Sequence, residues 1–319
     1  MDGLLKDLRS QGLGCHISGT WMGAAGYADD IVLLAPCRET MARMLSMCEE
    51  YAQKHNLQFS TDVIPKKSKS KCIFINGKVG DILPRHLPEP LQLYGKSLPW
   101  VVTATHLGHE LHQSGTMEYD CRIKRAMFID SSIEIRESFS FALPLHVLKA
   151  VQLNSLHCYG GMLWNFGSAR TSQFYKAWNT CVKLVHKVPR TTHTYISENL
   201  LAGEFQPVRQ ELFARYSNFL KNLKKSPSQE VRLLSRIVTS DFQSATAVNM
   251  ALIQRDTGLD PNSVSSRRIR HLDMRRNVPD VDAWRLPVLS KLLSQRREQQ
   301  TDLQDTSHLD FVIAGLCST

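Results

Sequence analysis

The chain has no CxxC pair, no regular cysteine spacing, no solenoid repeat and no low-complexity stretch longer than one lysine loop. Its eight cysteines are scattered over 319 residues. That excludes a disulfide framework and predicts reduced, mostly buried thiols in an intracellular protein. Long apolar runs are also missing. The longest, such as Ile31–Ala35, are far too short to span a bilayer, so no membrane role is expected. The opening residues carry acids at Asp2 and Asp7 and no apolar core, which excludes a secretory signal. The expected location is nuclear or cytoplasmic.

The chain is not short of apolar residues. At 42% apolar and 22% charged it has ordinary globular composition, which excludes wholesale disorder. Its length predicts about two domains, or one with a long appendage. Charge is unevenly spread. Residues 1–119 hold 12 Lys and Arg against 12 Asp and Glu, so the whole excess of +9 falls on residues 120–319. A basic half of this kind points to a polyanionic partner, nucleic acid first.

From Cys15 to Pro36 the pattern is strands and tight turns. Ser18-Gly19-Thr20 is a turn signal. Small residues from Gly23 to Gly26 allow close approach. Ile31–Leu34 has the pattern of a strand buried on both faces. The simplest geometry is a β-hairpin with two carboxylates, Asp29 and Asp30, at its tip. A helix follows from about Arg38 to His55, with Met41, Met44, Leu45, Cys48, Tyr51 and Ala52 on one core-facing stripe. Cys37 is a poor N-cap, and Asn56 is a plausible stop. A basic loop, Pro65–Lys71, leads into strands expected at Cys72–Ile75, Leu91–Tyr94 and Trp100–Thr105. From Met117 the texture is helical, with helices expected at about 118–137, 144–158, 171–187, 207–224, 228–238 and 244–255. The fold class expected is α+β, an α/β-mixed first part of 1–115 followed by helical residues 116–255 and a basic segment 256–319.

Tyr27-Ala28-Asp29-Asp30 is the pattern that carries chemistry. Two carboxylates at one hairpin tip offer hard oxygen ligands to divalent cations. Two-metal phosphoryl-transfer sites use such ligands to place ions about 3.5–4 Å apart on the attacking and leaving oxygens.

Gly14–Ile17, Gly23-Ala24 and Tyr27–Pro36 together resemble the polymerase signature of LINE-type (non-LTR retrotransposon) reverse transcriptases. The resemblance continues through Met44-Leu45, Cys48–Ala52, Lys69–Cys72 and Thr105–His109. It extends downstream through Ala177–Asn179, Pro189–Tyr195 and Ser226–Val231. It implies a partial right-hand polymerase palm (hairpin, helix, antiparallel strands) followed by an all-α thumb-like and C-terminal region. The implied chemistry is RNA-directed DNA synthesis with two Mg2+ ions, an RNA template, a DNA primer and dNTP. By the same resemblance Asp29 would be a direct metal ligand and Asp30 its acidic neighbour. Tyr27 and Ala28 would lie near the primer end and incoming nucleotide. Lys67 or Lys69 would neutralise the departing pyrophosphate, and the sequence does not choose between them. His106-Leu107-Gly108 would support the primer strand.

A complete site of this kind needs another palm aspartate from a strand upstream, and only 28 residues precede Asp29. The expectation is therefore a truncated copy with most of the catalytic rate lost. The alternative is a non-catalytic nucleic-acid-binding module derived from the same element. Arg267, Arg268, Arg270, Arg275 and Arg276 form the densest basic cluster and are candidates for phosphate contacts. His106, His109 and His112 have no helix to align them, and Cys158, Cys181, His186 and His193 match no compact zinc spacing, so no zinc site is expected. Trp164, Trp178 and Trp284 read as core residues.

Overall fold

The computed structural model describes residues 2–61, 69–75, 89–139, 158–186, 188–192, 208–241 and 244–272. The chain divides into two compact units. One is Met1–Asp120 with Leu223–Ser240, and the other is Cys121–Asn222 with Asp241–Thr319.

The first unit is built from tight hairpins and two packed helices in residues 1–120, together with a further helix, Gln229–Ser240. The described elements of residues 1–120 are α1 (Asp2–Ser10), β1 (His16–Ile17), β2 (Thr20–Trp21), β3 (Ala24–Tyr27), β4 (Asp30–Leu33), α2 (Arg38–Lys54), β5 (Gln92–Leu93), β6 (Lys96–Ser97), β7 (Thr103–His106) and β8 (His109–His112). Each consecutive strand pair is an antiparallel two-stranded sheet closed by a two-residue turn. At Ser18-Gly19, Tyr94-Gly95 and Leu107-Gly108 both turn residues have positive φ, 48° to 75°. That conformation matches the right-handed twist of the flanking strands and favours glycine in the second place. The fourth turn, Ala28-Asp29, contains no glycine, and only Ala28 has positive φ, 54°.

Residues 2–10, for which the sequence suggested no element, form α1. A helix this short is marginal by itself and depends on packing. Leu4 and Leu8 are fully buried against Met44 and Cys48 of α2, with Ile31 and Leu33 of β4 packed on the same cluster. Helix α2 spans the expected stretch. Met44, Leu45, Cys48 and Ala52 are buried, Cys37 makes no side-chain cap, and Asn56 takes a left-handed conformation just past the end.

Four strand expectations need correction. The strand after Asp30 is not buried on both faces, and Leu34 is 42% exposed. A two-stranded sheet has no neighbour to cover its second face. Cys72–Ile75 forms no named strand; Cys72 makes one isolated bridge to Trp100, and Phe74 and Ile75 are exposed. Tyr94 sits in a turn, with Lys96 already in the next strand. The run from Trp100 pairs only from Thr103 and returns as β8, a strand the sequence reading missed.

The helices that follow are α3 (Glu118–Phe139), α4 (Ala169–Val185), α5 (Val208–Lys224), α6 (Gln229–Ser240), α7 (Ala245–Thr257) and α8 (Ser266–Arg270). The helix expected at 144–158 lies outside the described residues but for its last position. The second unit packs around aromatic rings. Phe128 stacks on Trp178 at 5.4 Å, Trp164 meets Phe174 edge-on at 4.9 Å, and Phe166 lies 5.5 Å from both Phe213 and Tyr216. Trp164 and Trp178 are thus core, as expected; Trp284 lies outside the described residues. Buried amides close the loops. Asn249 of α7 accepts from the Phe166 amide at 2.7 Å and donates to the Trp164 carbonyl at 2.7 Å. Gln210 of α5 donates to the carbonyls of Ile269 and Leu272, both at 2.6 Å. Stranding a buried partner of such a bond costs about 1–3 kcal/mol.

The seven described cysteines form no disulfide, and Cys48, Cys121, Cys158 and Cys181 are buried. Burial pushes the Cys48 thiol up to about 11 and the Cys158 thiol up to about 12, so both stay protonated at neutral pH. Among the described residues, no helix is long and apolar enough to cross a membrane.

In the first unit α6 is tied to α1 by Arg9 and Glu230, 2.7 Å apart. The Glu230 carboxyl accepts from Ser228 at 2.7 Å. That bond first, then its own backbone amide and Arg9, hold the carboxyl down to about 2, against an ordinary 4.5. A depressed carboxyl contributes its stability above its ordinary value and loses it as pH falls towards the depressed one. The wild type should therefore lose stability relative to Glu230→Gln between about pH 4.5 and 2, and denaturant midpoints measured across that window should converge at the acid end. A constant difference over the window would contradict the link.

Candidate active site

The Tyr27–Asp30 hairpin has the register Ala24↔Leu33, Ala25↔Val32, Gly26↔Ile31 and Tyr27↔Asp30. Asp29 is the second turn residue and Asp30 the first residue of β4. Tyr27, Ala28, Asp29 and Asp30 are all exposed, Tyr27 by 67%. Among the described residues neither aspartate is held by a cation, so both carboxylates face solvent with their lone pairs available. Ala28 holds a left-handed conformation that costs a residue with a Cβ roughly 1–2 kcal/mol. Such strain persists only where the surroundings impose it, and Ser18, Tyr94 and Leu107 share it at the first place of the other three turns.

What imposes the hairpin is a backbone crossing at its base. The Cys15 amide donates to the Leu34 carbonyl at 2.9 Å, the Leu34 amide to Gly23 at 2.7 Å, and the Met22 amide to Cys15 at 2.8 Å. The Trp21 indole donates to the Leu13 carbonyl at 2.6 Å. A Cβ on Gly14 would lie 2.4 Å from the Gly23 Cα, and one on Gly23 would lie 2.6 Å from the Leu13 carbonyl oxygen. Only glycine fits at either place. Gly26 faces Leu5 of α1, which a Cβ would meet at 3.3 Å.

The other anticipated residues are distributed as follows. His106 is the last residue of β7, and Leu107-Gly108 is the turn that joins it to His109 of β8. Lys69 is exposed and no contact joins it to the aspartates; Lys67 lies outside the described residues. Arg267 and Arg268 are exposed on α8. Arg270 is turned onto Glu211, with contacts of 2.7 and 3.1 Å, so its guanidinium serves an internal ion pair. Burial pushes the Glu211 carboxyl up, and hydrogen bonds from Arg270 and Arg215 more than reverse this, leaving it below the usual carboxylate range. Arg275 and Arg276 lie outside the described residues.

Among the described residues no three or more His, Cys, Asp and Glu side chains gather where they could hold a metal ion. The turn therefore offers two carboxylates of the hard-oxygen type that suits Mg2+, and no third acid joins them there. Sequence reasoning missed the Gly14–Gly23 crossing, whose only trace was two glycines flanking a short hairpin. It also missed Asp120, an acid in the first turn of α3 that is fully buried. Comparison with protein-family models, with curated proteins and with solved structures found no match.

The strain at Ala28 has a direct test. Ala28→Gly should raise stability by about 0.5–1 kcal/mol, because glycine takes positive φ without steric cost and loses only some unfolded-state entropy advantage. Urea unfolding measures it. A destabilised Ala28→Gly variant would mean that the Ala28 methyl packs rather than strains.

Proposed function

We propose that this chain is a segment of a LINE-type reverse transcriptase, containing part of the palm, with the Tyr27–Asp30 turn as its share of a two-metal nucleotidyl-transfer site. The supporting observation is the turn itself. Two adjoining carboxylates stand exposed at a strained, glycine-free hairpin tip, and among the described residues no cation pairs with either.

In this role Asp29 would hold Mg2+ directly, with the charge of Asp30 beside it. When bound, Mg2+ supplies positive charge to the phosphate oxygens on either side of an in-line displacement. The chain's own contribution is positioning. The primer 3′-hydroxyl would attack the α-phosphorus of a dNTP, the bond to pyrophosphate would break, and Lys67 or Lys69 would offset the departing charge. Tyr27 and Ala28 would border the primer end, and His106, Leu107 and Gly108 would support the primer strand. Arg267 and Arg268 are the described members of the basic cluster whose positions suit backbone phosphates. Arg270 is committed to Glu211 and is not proposed for that role.

Two carboxylates make an incomplete cage for two ions, so polymerisation by these residues alone should be weak. Primer extension on an RNA template with Mg2+ should give little or no product. Any incorporation that does occur should fall at least ~100-fold in Asp29→Ala, the scale seen when a preorganised electrostatic group is removed. Binding of an RNA·DNA hybrid should persist in both proteins and weaken steeply with salt. Incorporation that survives Asp29→Ala would overturn the assigned role of the turn. A chain that binds no hybrid at low salt would overturn the proposal as a whole, including the non-catalytic nucleic-acid-binding alternative.

A further inference from the structure

The β7–β8 hairpin is fastened far more firmly than a two-stranded ribbon needs. Its turn, Leu107-Gly108, has positive φ at both residues, 48° and 74°, and Leu107 is 37% exposed. Behind the turn, β8 is attached to the first residues of α3 at alternate positions. The Glu110 amide donates to Asp120 Oδ1 at 3.0 Å, and His109 Nδ1 lies 3.8 Å from the same oxygen. Two residues further along β8, the His112 ring stacks on Tyr119, with centroids 5.2 Å apart and planes 7° from parallel. Across the hairpin, the Thr105 hydroxyl donates to the Glu110 carboxylate at 2.7 Å, in register with the Thr105↔Glu110 pair.

Asp120 is 0% exposed. A buried carboxylate carries a desolvation cost, and it is kept only where its hydrogen bonds are needed. One of those bonds, from the Glu110 amide, comes from the strand immediately after the turn. An isolated hairpin frays, and a ligand that bound it would have to order it first. A hairpin held at Glu110 and His112 presents its tip already ordered.

Resting on the proposed function above, we infer that Asp120 is a positioning residue. With Tyr119, it locks the β7–β8 hairpin to the start of α3 and so presents the Leu107-Gly108 turn, flanked by His106 and His109, to the end of a primer strand. Asp120 itself touches no nucleic acid in this account. Its effect passes through the Glu110 amide.

The test compares two probes on the full chain by fluorescence anisotropy. One is an RNA template carrying a DNA primer with a recessed 3′ end; the other is a blunt RNA·DNA hybrid of the same length. The wild type should prefer the recessed end, and Asp120→Ala should cut that preference by ~5-fold, the scale of one lost hydrogen bond. Its affinity for the blunt hybrid should not fall, because removing an acid does not weaken polyanion binding. Asp120→Asn keeps an oxygen acceptor for the Glu110 amide and should retain the preference. Hydrogen exchange at the Glu110 amide should quicken in Asp120→Ala and not in Asp120→Asn. Tyr119→Leu, which removes the ring from His112, should lower the preference in the same way and serves if Asp120→Ala does not fold. An Asp120→Ala protein with full end preference would overturn the inference and leave the proposed function standing. Equal loss on both probes would also overturn it, since that is what general destabilisation produces. A wild type with no end preference would overturn the inference together with the primer role from which it starts.

Discussion

Three stretches of backbone cross beneath the Tyr27–Asp30 hairpin, and the rest of the first unit depends on how closely they do so. Gly14 and Gly23 lie so near each other that neither tolerates a Cβ. That closeness allows Cys15, Met22 and Leu34 to exchange the hydrogen bonds that fix the base of β3 and β4. With its base fixed, β4 can place Ile31 and Leu33 on the cluster of Leu4, Leu8, Met44 and Cys48. The tip then has no freedom to relax Ala28 out of its left-handed conformation. The exposure of Asp29 and Asp30 thus follows from the packing of residues that carry no charge.

Much of this was legible in the sequence. The hairpin, its turn and helix α2 follow from small residues before Tyr27, the β-branched run after Asp30 and the spacing from Met41 to Ala52. These signals are local and repeat within a few residues. What could not be read depended on tertiary contact. Helix α1 has only Leu4, Leu5 and Leu8 to mark it, too few for a period, and it is held by α2. Strand β8 was hidden because His109-Glu110-Leu111-His112 has little β-branched character; its pairing with β7 is set by the Leu107-Gly108 turn. Phe74 and Ile75 misled in the other direction, since an apolar run of strand-forming residues leaves both exposed and, among the described residues, bridges to another stretch at Cys72 alone.

Charge was the least transferable signal. The excess of +9 falls after residue 119, yet part of it is used internally. Arg215 and Arg270 both bind Glu211, and Arg209 pairs with Asp256. The pairs of Arg270 with Glu211 and of Arg209 with Asp256 join α5 to α8 and to α7, and arginines so engaged are not available to a polyanion. Arg267 and Arg268 are exposed, so the basic cluster that looked uniform in sequence is divided between packing and surface. The aromatic residues divide more cleanly, with Trp164 and Trp178 in the core of the second unit. Asn249 and Gln210 each use one side-chain amide for two backbone-facing roles, Asn249 on the loop that holds Trp164 and Phe166, Gln210 on the C-terminal end of α8.

Divalent-cation binding at the Tyr27–Asp30 turn, as proposed above, can be read by paramagnetic broadening. Mn2+ added at low stoichiometry to isotopically labelled protein should broaden the amide signals of Ala28 through Ile31 before others, and excess Mg2+ should restore them. Asp29→Ala should remove the effect. Broadening that begins elsewhere in the chain, or none at the turn with Mn2+ in large excess, would contradict the account.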